Sequence, residues 1–399
     1  MSPSILQLQA LGLQDVYLTK DPQINVFKYN YYRYINFATE TVNLQLNNVA
    51  TFDQKVSCII PKRGHLLSKL YLHIKLPALT KNGGEYASWC DTLGYAIFKD
   101  PIELQINGST VDRIYPQFIN AWDDLTNANK QLGKNLMILK SDTYASNFYN
   151  AEKELDLIIP LDFWFTKQYN MALPLLSMYN QEIKVNFTLK NFSECINYDG
   201  SEPNSVSAIE SNLFAEYIFL DDVILKQFQQ QKHMFIVDQV QYNGDELISA
   251  NTILHNSSLK FNHPCKEIIF FCAEKQNIDT NNYFSYSKSP SETPLVKRAS
   301  LLLDGRPRFD NLPEFYYRTI FPNSIHSVIP MKYIYTMPFC INPEDNQPTG
   351  SINLSRFNDV TLSLTMHPGN VDCYLYTFVR SYNIIIIENG NLTMEFTYY

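Results

Sequence analysis

Long apolar runs, glycine and an excess of basic charge are what this 399-residue chain lacks. No stretch reaches the roughly eighteen consecutive apolar residues a membrane-spanning helix needs. Ile384-Ile385-Ile386-Ile387 is stopped by Asn383 and Glu388, and is expected to be a buried strand. Only 13 glycines are present, too few for a collagen-like or linker-like chain. Lys and Arg number 32 against 40 Asp and Glu, so the broad basic stripe of a dedicated nucleic-acid binder is missing. The densest basic spots, Lys62-Arg63, Lys297-Arg298 and Arg306 with Arg308, are too small to neutralise many phosphates. Cysteine pairs at metal-binding spacing are missing too. Cys58, Cys90, Cys195, Cys265, Cys272, Cys340 and Cys373 are scattered, and the closest two lie seven apart. They are expected to be free thiols packed as small apolar residues, with no metal and no cofactor. His263-Pro264-Cys265 lacks the glutamate and the CxxC of a zinc deaminase. GxSxG, HExxH, Walker A and GxGxxG are absent, so no catalytic residue is assigned. Before Lys20 there is no basic residue and no long apolar core, so a secretory signal is not expected and the chain is placed in a cytosolic space.

What the chain has in quantity is aromatic side chains and period-two alternation. Its 27 Tyr and 25 Phe with only 18% charged residues exclude a disordered polymer. Leu70, Leu72, Ile74 and Leu76 alternate with polar residues. The same holds for Ile102, Leu104 and Ile106; for Ile183, Val185, Phe187 and Leu189; for Val360, Leu362 and Leu364; and for Leu392, Met394 and Phe396. Side chains on a strand point alternately to opposite faces, so these are half-buried antiparallel strands. Two helices are expected. One follows Pro116, with Phe118, Trp122 and Leu125 on one face; the other follows Asp221-Asp222, whose charge suits a helix N-terminus better than it suits paired catalytic carboxylates. Many strands without βα alternation imply an all-β sandwich or barrel. The length accommodates two such units, joined near the second helix, and no sequence repeat relates them.

Smaller features have structural readings. Gly83-Gly84 is expected to be a hairpin turn rather than a phosphate cradle, and His73 a solvated or strand-paired histidine. Tyr29, Tyr31, Tyr32 and Tyr34, with Lys28 and Arg33 between them, are expected to form a strand packed on a core or a neighbouring subunit rather than a base-stacking face. Six Asn-x-Ser/Thr sequons, at Asn107, Asn186, Asn191, Asn256, Asn353 and Asn391, are expected to be unmodified.

Ordered segments then resemble one family. Gln14 to Thr19, Pro22-Gln23, Phe27-Lys28, Tyr32-Arg33 and Asn36-Phe37 are similar to its opening strand, and Arg63-Gly64 with Leu70 to Pro77 to its next. Ile159 to Phe165, containing Asp162, Phe163, Trp164 and Phe165, then Leu173-Pro174 and Tyr217 to Asp221, continue the first half. In the second half come Asn262-His263-Pro264, Gly305 to Phe309 with Arg308, and Tyr316-Tyr317-Arg318. Pro348, Gly350, Asn353, Ser355 and Arg356, then Tyr382-Asn383 and Asn389-Gly390, complete the order. Collinear from about residue 12 to 390, these resemble the double jelly-roll major capsid proteins of nucleocytoplasmic large DNA viruses (iridovirus-, phycodnavirus- or mimivirus-like). Asp222 to Leu225 and Asp304 depart from the family pattern.

The resemblance implies an all-β fold of two consecutive eight-stranded antiparallel jelly rolls with short helices in loops and linker. Residues 1–222 would hold an arm (about 1–23) and the first barrel; residues 223–399 would hold a helical linker (about 222–234) and the second. It implies a structural virion protein, not an enzyme: a homotrimeric, pseudo-hexagonal capsomer tiling an icosahedral shell. Its partners would be itself, neighbouring capsomers, and minor capsid, cement and penton proteins, with an internal viral membrane close by. Direct nucleic-acid contact and a small-molecule substrate are not implied. Assembly would take place in the host cytoplasm or viral factory. The alternatives are a minor capsid or scaffold paralogue, and a carbohydrate-binding or carbohydrate-processing jelly-roll protein. The matched motif residues would be structural, and the arm, with Leu6-Gln7-Leu8-Gln9 alternating, would lie beneath the capsomer.

Overall fold

Alternation of apolar and polar residues becomes 22 strands in the computed structural model, which describes residues 2–23, 27, 31–127, 153–203 and 209–396. In the first half these are β1 (Phe37–Gln45), β2 (Lys55–Ile60), β3 (Leu66–Leu76), β4 (Ala87–Trp89), β5 (Ile102–Ile106), β6 (Ser109–Ile114), β7 (Leu155–Pro160), β8 (Leu173–Pro174), β9 (Ile183–Thr188), β10 (Ile196–Tyr198) and β11 (Glu210–Leu220). In the second half they are β12 (His233–Tyr242), β13 (Glu246–Ile248), β14 (Leu254–Ser258), β15 (Pro264–Glu274), β16 (Val296–Leu303), β17 (Arg306–Pro313), β18 (Tyr335–Pro338), β19 (Ile352–Asn353), β20 (Val360–Met366), β21 (Cys373–Glu388) and β22 (Asn391–Met394).

The sheets repeat one plan. The first half has the orders β1-β11-β3-β7 and β2-β9-β5-β6; the second has β12-β21-β15-β18 and β14-β20-β16-β17. Setting aside the short β4, β8, β10, β13, β19 and β22, each half pairs its first, eighth, third and sixth strands in one sheet and its second, seventh, fourth and fifth in the other. That is a jelly roll, two facing sheets about 10 Å apart. The duplication that no sequence repeat reveals is therefore explicit in the topology.

Antiparallel pairing also fixes which connections share an end. In each barrel the links β3→β5 and β6→β7, or β15→β16 and β17→β18, leave from one end, here the loop end. The first strand starts and the last strand stops at the other end, the base. Both helices expected from sequence form, Pro116–Thr126 and Asp222–Gln230, and the second joins the two bases.

Several expectations are corrected. Gly83-Gly84 is not a hairpin turn, because β3 and β4 lie in different sheets. It belongs to a crossing loop in which the Asp199 carboxylate accepts from the backbone N–H of Glu85 and Tyr86. The last strand stops at Met394, and Phe396 is exposed. Phe163, Trp164 and Phe165 do not alternate faces. They sit in a turn after β7, where all three rings are buried, Phe163 stacked on Phe165 at 6.0 Å and Trp164 edge-on to Phe165 at 5.3 Å. All seven cysteines are buried and free.

Residues 1–37 separate from 38–399 as a distinct unit. Within it, Pro3–Gln9 and Val16–Thr19 are helical, so Leu6-Gln7-Leu8-Gln9 is not extended. Neither helix buries a residue. Tyr29 lies outside the described residues; Tyr31, Tyr32 and Tyr34 are exposed without regular structure. With rings at successive positions the segment has no single apolar face to lay on a sheet.

Trp164 is 1% exposed and its ring lies 5.9 Å from Phe235, at the start of the second barrel. Trp164→Ala is expected to cost about 3–5 kcal/mol in urea unfolding; a loss under about 1 kcal/mol would show that the turn tolerates an empty site.

Candidate functional site at the seam between the barrels

Strand β15 carries Ile268, Phe270 and Cys272 at one parity and Ile269, Phe271 and Ala273 at the other. The first three belong to the second barrel's core, while the others belong to the apolar cluster that also fills the first barrel. Strand β21 divides likewise, with Leu375 and Val379 in the core and Tyr376 and Phe378 in the shared cluster. This sheet is buried on both faces, which explains its near-continuous apolar sequence. Facing it, Tyr115 and the helix Pro116–Thr126 supply rings: Phe378 lies 5.8 Å from Tyr115 and 5.6 Å from Phe118.

Polar bonds cross the seam at both ends. At the loop end Lys332 donates to Asn120 Oδ1 (2.9 Å) and Tyr283 donates to the Glu194 carbonyl (2.9 Å). Asn281 Nδ2 donates to the carbonyls of Ser193 and Ile196. At the base Gln181 and Leu392 exchange two bonds, and in between Gln239 Nε2 donates to the Val111 carbonyl (2.8 Å). The two barrels therefore stand side by side in the same sense.

Charged residues stand inside this seam. A register shift between Cys265 and Glu267 gives β15 one extra residue, Lys266, and such a bulge re-aims side chains. Lys266 reaches Asp238 at 3.1 Å, and Arg380 reaches Asp238 at 2.6 Å and Glu267 at 3.1 Å. His326 lies 2.9 Å from Glu267 and 3.2 Å from Glu344. The Arg380 guanidinium carbon lies over the ring of Trp122, from the first barrel, 3.8 Å from its centre, a cation–π contact strengthened by desolvation. Three cations thus match three carboxylates. Burial alone would lift Asp238 and Glu267, but Arg380 with Lys167 and Lys266, and His326 with Arg380, hold them below the usual carboxylate range. Burial opposes charge on His326, yet Glu267 and Glu344 prevail and keep its pKa up at about 9.

A cavity of about 250 Å³ adjoins this cluster, with Asp112, Asp162 and Lys167 on its first-barrel side and Asp238 and Arg380 on its second-barrel side. Asp112 is aimed there by another bulge, between Leu104 and Gln105 of β5 and their partners on β6. Its carboxylate accepts from the backbone N–H of Arg113 (2.9 Å) and Trp164 (3.3 Å). Burial nevertheless pushes it up to about 7, with Lys167 and those two bonds pulling the other way. Asp162 and Lys167, on the wall of the cavity, are themselves exposed. Among the described residues no His/Cys/Asp/Glu group has the arrangement of a metal site.

This geometry fixes two barrels as one body. The family described as "Major capsid protein N-terminus" matches residues 25–221, and the family described as "Large eukaryotic DNA virus major capsid protein" matches residues 225–393. The chain belongs to the double jelly-roll major capsid proteins of large DNA viruses. Among relatives, the major capsid protein of Pyramimonas orientalis virus is 29% identical, with 98% of each chain covered. That of Paramecium bursaria Chlorella virus 1 is 28% identical over 93% of this chain and 89% of its own. In fold, a chain of the PBCV-1 virus capsid superposes with TM-score 0.80 at 23% identity, covering 94% of this chain and 100% of its own. The Faustovirus major capsid protein superposes with TM-score 0.75 at 12% identity, covering 96% of each. The chain is thus a structural capsid protein of the virion, built to associate with itself and with neighbouring capsomers.

The capsid-family motif residues do not converge on one site. Asp162 to Phe165 lie at the seam, with Asp162 on the cavity wall. Leu173 and Pro174 form β8, paired with β3. Asn262 exchanges two bonds with Gln241; His263 is buried, and Pro264 starts β15 opposite Asn353. Tyr382 accepts from the Thr349 N–H, and Asn383 Nδ2 bridges Gln239 and the Phe396 carbonyl. Far from these, Asp304 and Gly305, both at positive φ, make the β16–β17 turn. Asp, like Asn, tolerates that conformation. Arg308 covers the Phe309 ring at 4.8 Å, and Phe309 is in the second core. Pro348 lies in the exposed loop before Gly350, where an added Cβ would come within 3.0 Å of the Phe339 carbonyl. Asn353 Oδ1 caps Ser355, and Ser355 and Arg356 are exposed.

Sequence reading did not find the charged seam: Asp112, Lys167, Asp238, His326 and Arg380. One signal was available, a charged residue inside an otherwise apolar strand, at Lys266-Glu267 and at Arg380.

Asp112 binds its proton more tightly folded (about 7) than unfolded (3.8), so its contribution is lost as pH rises from about 4 through 7. Asp112→Asn should therefore raise stability at pH 8 by on the order of 2 kcal/mol and leave it nearly unchanged at pH 4. Thermal denaturation at the two pH values checks this; equal effects at both would refute it. His326 has the same sign, its stabilisation being complete below about 6.5 and lost through 9, so the parent chain should weaken on the alkaline side.

Proposed function

We propose that three copies of the chain associate about a three-fold axis into a pseudo-hexagonal capsomer, and that these capsomers tile an icosahedral shell. The observation that carries this is the repeated strand order, locked by the seam into two like lobes per chain. Three such chains offer six lobes, the symmetry needed to tile a plane. The division falls at 222/223, with residues 1–222 holding arm and first barrel and residues 223–399 holding linker and second barrel.

The loop end faces outward and the base, where chains enter β1 and leave β11, faces the interior. The arm, Met1 to about Gln23, lies beneath the capsomer and contacts neighbours or minor capsid, cement and penton proteins near an internal membrane. Its exposed Leu8, Leu11, Leu13 and Leu18 support that role, since apolar side chains left in water mark a surface awaiting a partner. The motif residues Asp162 to Phe165, Asn262 to Pro264, Gly305, Arg308, Phe309, Pro348, Gly350, Asn353, Ser355, Arg356, Tyr382 and Asn383 set turns and seam packing rather than chemistry. Assembly takes place in the host cytoplasm, and the chain has no catalytic role.

Light scattering behind a sizing column tests the proposal. The expected mass is three times the 46.3 kDa of one chain, with a hexagonal outline in images of the peak. A uniform monomer would overturn it. Deleting residues 1–12 should leave that trimer intact while impairing assembly into shells; loss of the trimer would assign the arm to the fold itself.

A further inference from the structure

The first barrel carries the same sheet as the one the seam covers in the second, and a shared bulge sets the two in correspondence. On β15 the extra residue is Lys266, after which Glu267 pairs with Arg380 of β21. On β3 the extra residue is Ser68, after which Lys69 pairs with Glu216 of β11. Each bulge lies on the third strand beside the eighth, and each is followed by a rung of opposite charge. Counted on from the bulges, Ile269 opposite Phe378 corresponds to Tyr71 opposite Phe214, and Phe271 corresponds to His73. In the second barrel these positions belong to the apolar cluster shared with the first. In the first barrel the same parity points away from the core that Leu70, Leu72, Leu213 and Ala215 fill, and Tyr71, His73 and Phe214 stay half-exposed. The His73 and Phe214 rings lie 5.7 Å apart, and the exposed ring of Tyr169 lies 4.9 Å from the Lys69 ammonium on the same strand.

What covers Phe378 indicates what covers Phe214. After the fifth strand of the first barrel, Tyr115 stands at the start of the helix Pro116–Thr126 and, with Phe118, packs on Phe378 at 5.8 and 5.6 Å. After the fifth strand of the second barrel, Phe315 holds the same place, at the start of the helical segment Tyr316–Ile320 that Phe321–Ile325 continues. Phe315 and Ile320 are 49% and 42% exposed. They lie five residues apart on a helix closed by i→i+5 bonds, so they share one side of it. Large apolar side chains grouped in water mark a contact surface. We propose that the corner carrying Phe315 and Ile320 packs on Tyr71, His73 and Phe214 of a second copy, repeating between chains the contact that Tyr115 and Phe118 make within one. One surface meets a different one, and such heterologous contacts form rings when their rotation closes. Alternating with the seam, this contact closes three copies into six lobes. It rests on the capsomer reading, whose three-fold closure it supplies.

Light scattering over a dilution series of the purified full chain tests this. Phe315→Lys and Ile320→Lys, both at exposed positions, and Phe214→Lys on the facing sheet should each raise the concentration of half-dissociation at least about tenfold, with the circular dichroism of the parent retained. Ile59→Lys, at an exposed position on the outer face of β2 that neither contact uses, should dissociate like the parent. A trimeric parent whose three contact variants dissociate no more readily than it does would overturn the assignment. Equal weakening by Ile59→Lys would overturn it too. A monomeric parent would overturn the capsomer reading as well, so the two failures are told apart.

Discussion

The sheet built on β12, β21, β15 and β18 has protein on both faces, and most of the molecule's organisation follows from that. A jelly roll on its own needs only its inner faces apolar. Here one parity of β15 and β21 fills the second barrel while the other packs against rings from the first. Neither barrel can then rotate without exposing Phe271, Tyr376 and Phe378 to water, at about 25 cal/mol for each Å² uncovered. Strand β21, 16 residues or about 50 Å long, runs the height of this contact and then carries Ile385 and Ile387 into the first barrel's cluster.

Ionic groups inside such a contact add little net stability, because desolvation offsets most of their attraction. Their value here is geometric. Arg380 satisfies Asp238, Glu267 and the Pro343 carbonyl within the second barrel, and this fixes its guanidinium where Trp122 of the first barrel meets it only when the barrels are in register. A shifted seam would part Trp122 from Arg380 and Gln239 from the Val111 carbonyl, while the ion pairs, all within the second barrel, would move together. For a subunit whose output is a fixed shape repeated across a shell, fixed register between lobes matters more than extra stability.

Much of the fold was legible in the chain, because half-buried strands advertise themselves by alternation. Ile102 to Ile106 and Val360 to Leu364 fall where that pattern places them. The helix after Pro116 and the one after Asp221 were legible for the same reason, periodicity plus a suitable N-terminus. What alternation cannot encode is which strands meet, so the twofold repeat of topology stayed hidden. In the Phe163-Trp164-Phe165 turn alternation carries no information, because bends aim successive side chains to one side. The seam's charges were missed for a different reason. Asp238, His326 and Arg380 are distant in sequence, and only bulges at Lys266 and next to Asp112 bring their partners into reach. Gly305 and Gly350 sit at positive φ, the conformation glycine adopts at least cost.

If the seam unites the barrels, they unfold together. Differential scanning calorimetry of the purified chain at pH 7 measures this directly, through the agreement of calorimetric and van't Hoff enthalpies. A single transition with matching enthalpies is the predicted result. Two resolved transitions, one for each barrel, would contradict the claim that the seam makes them one body.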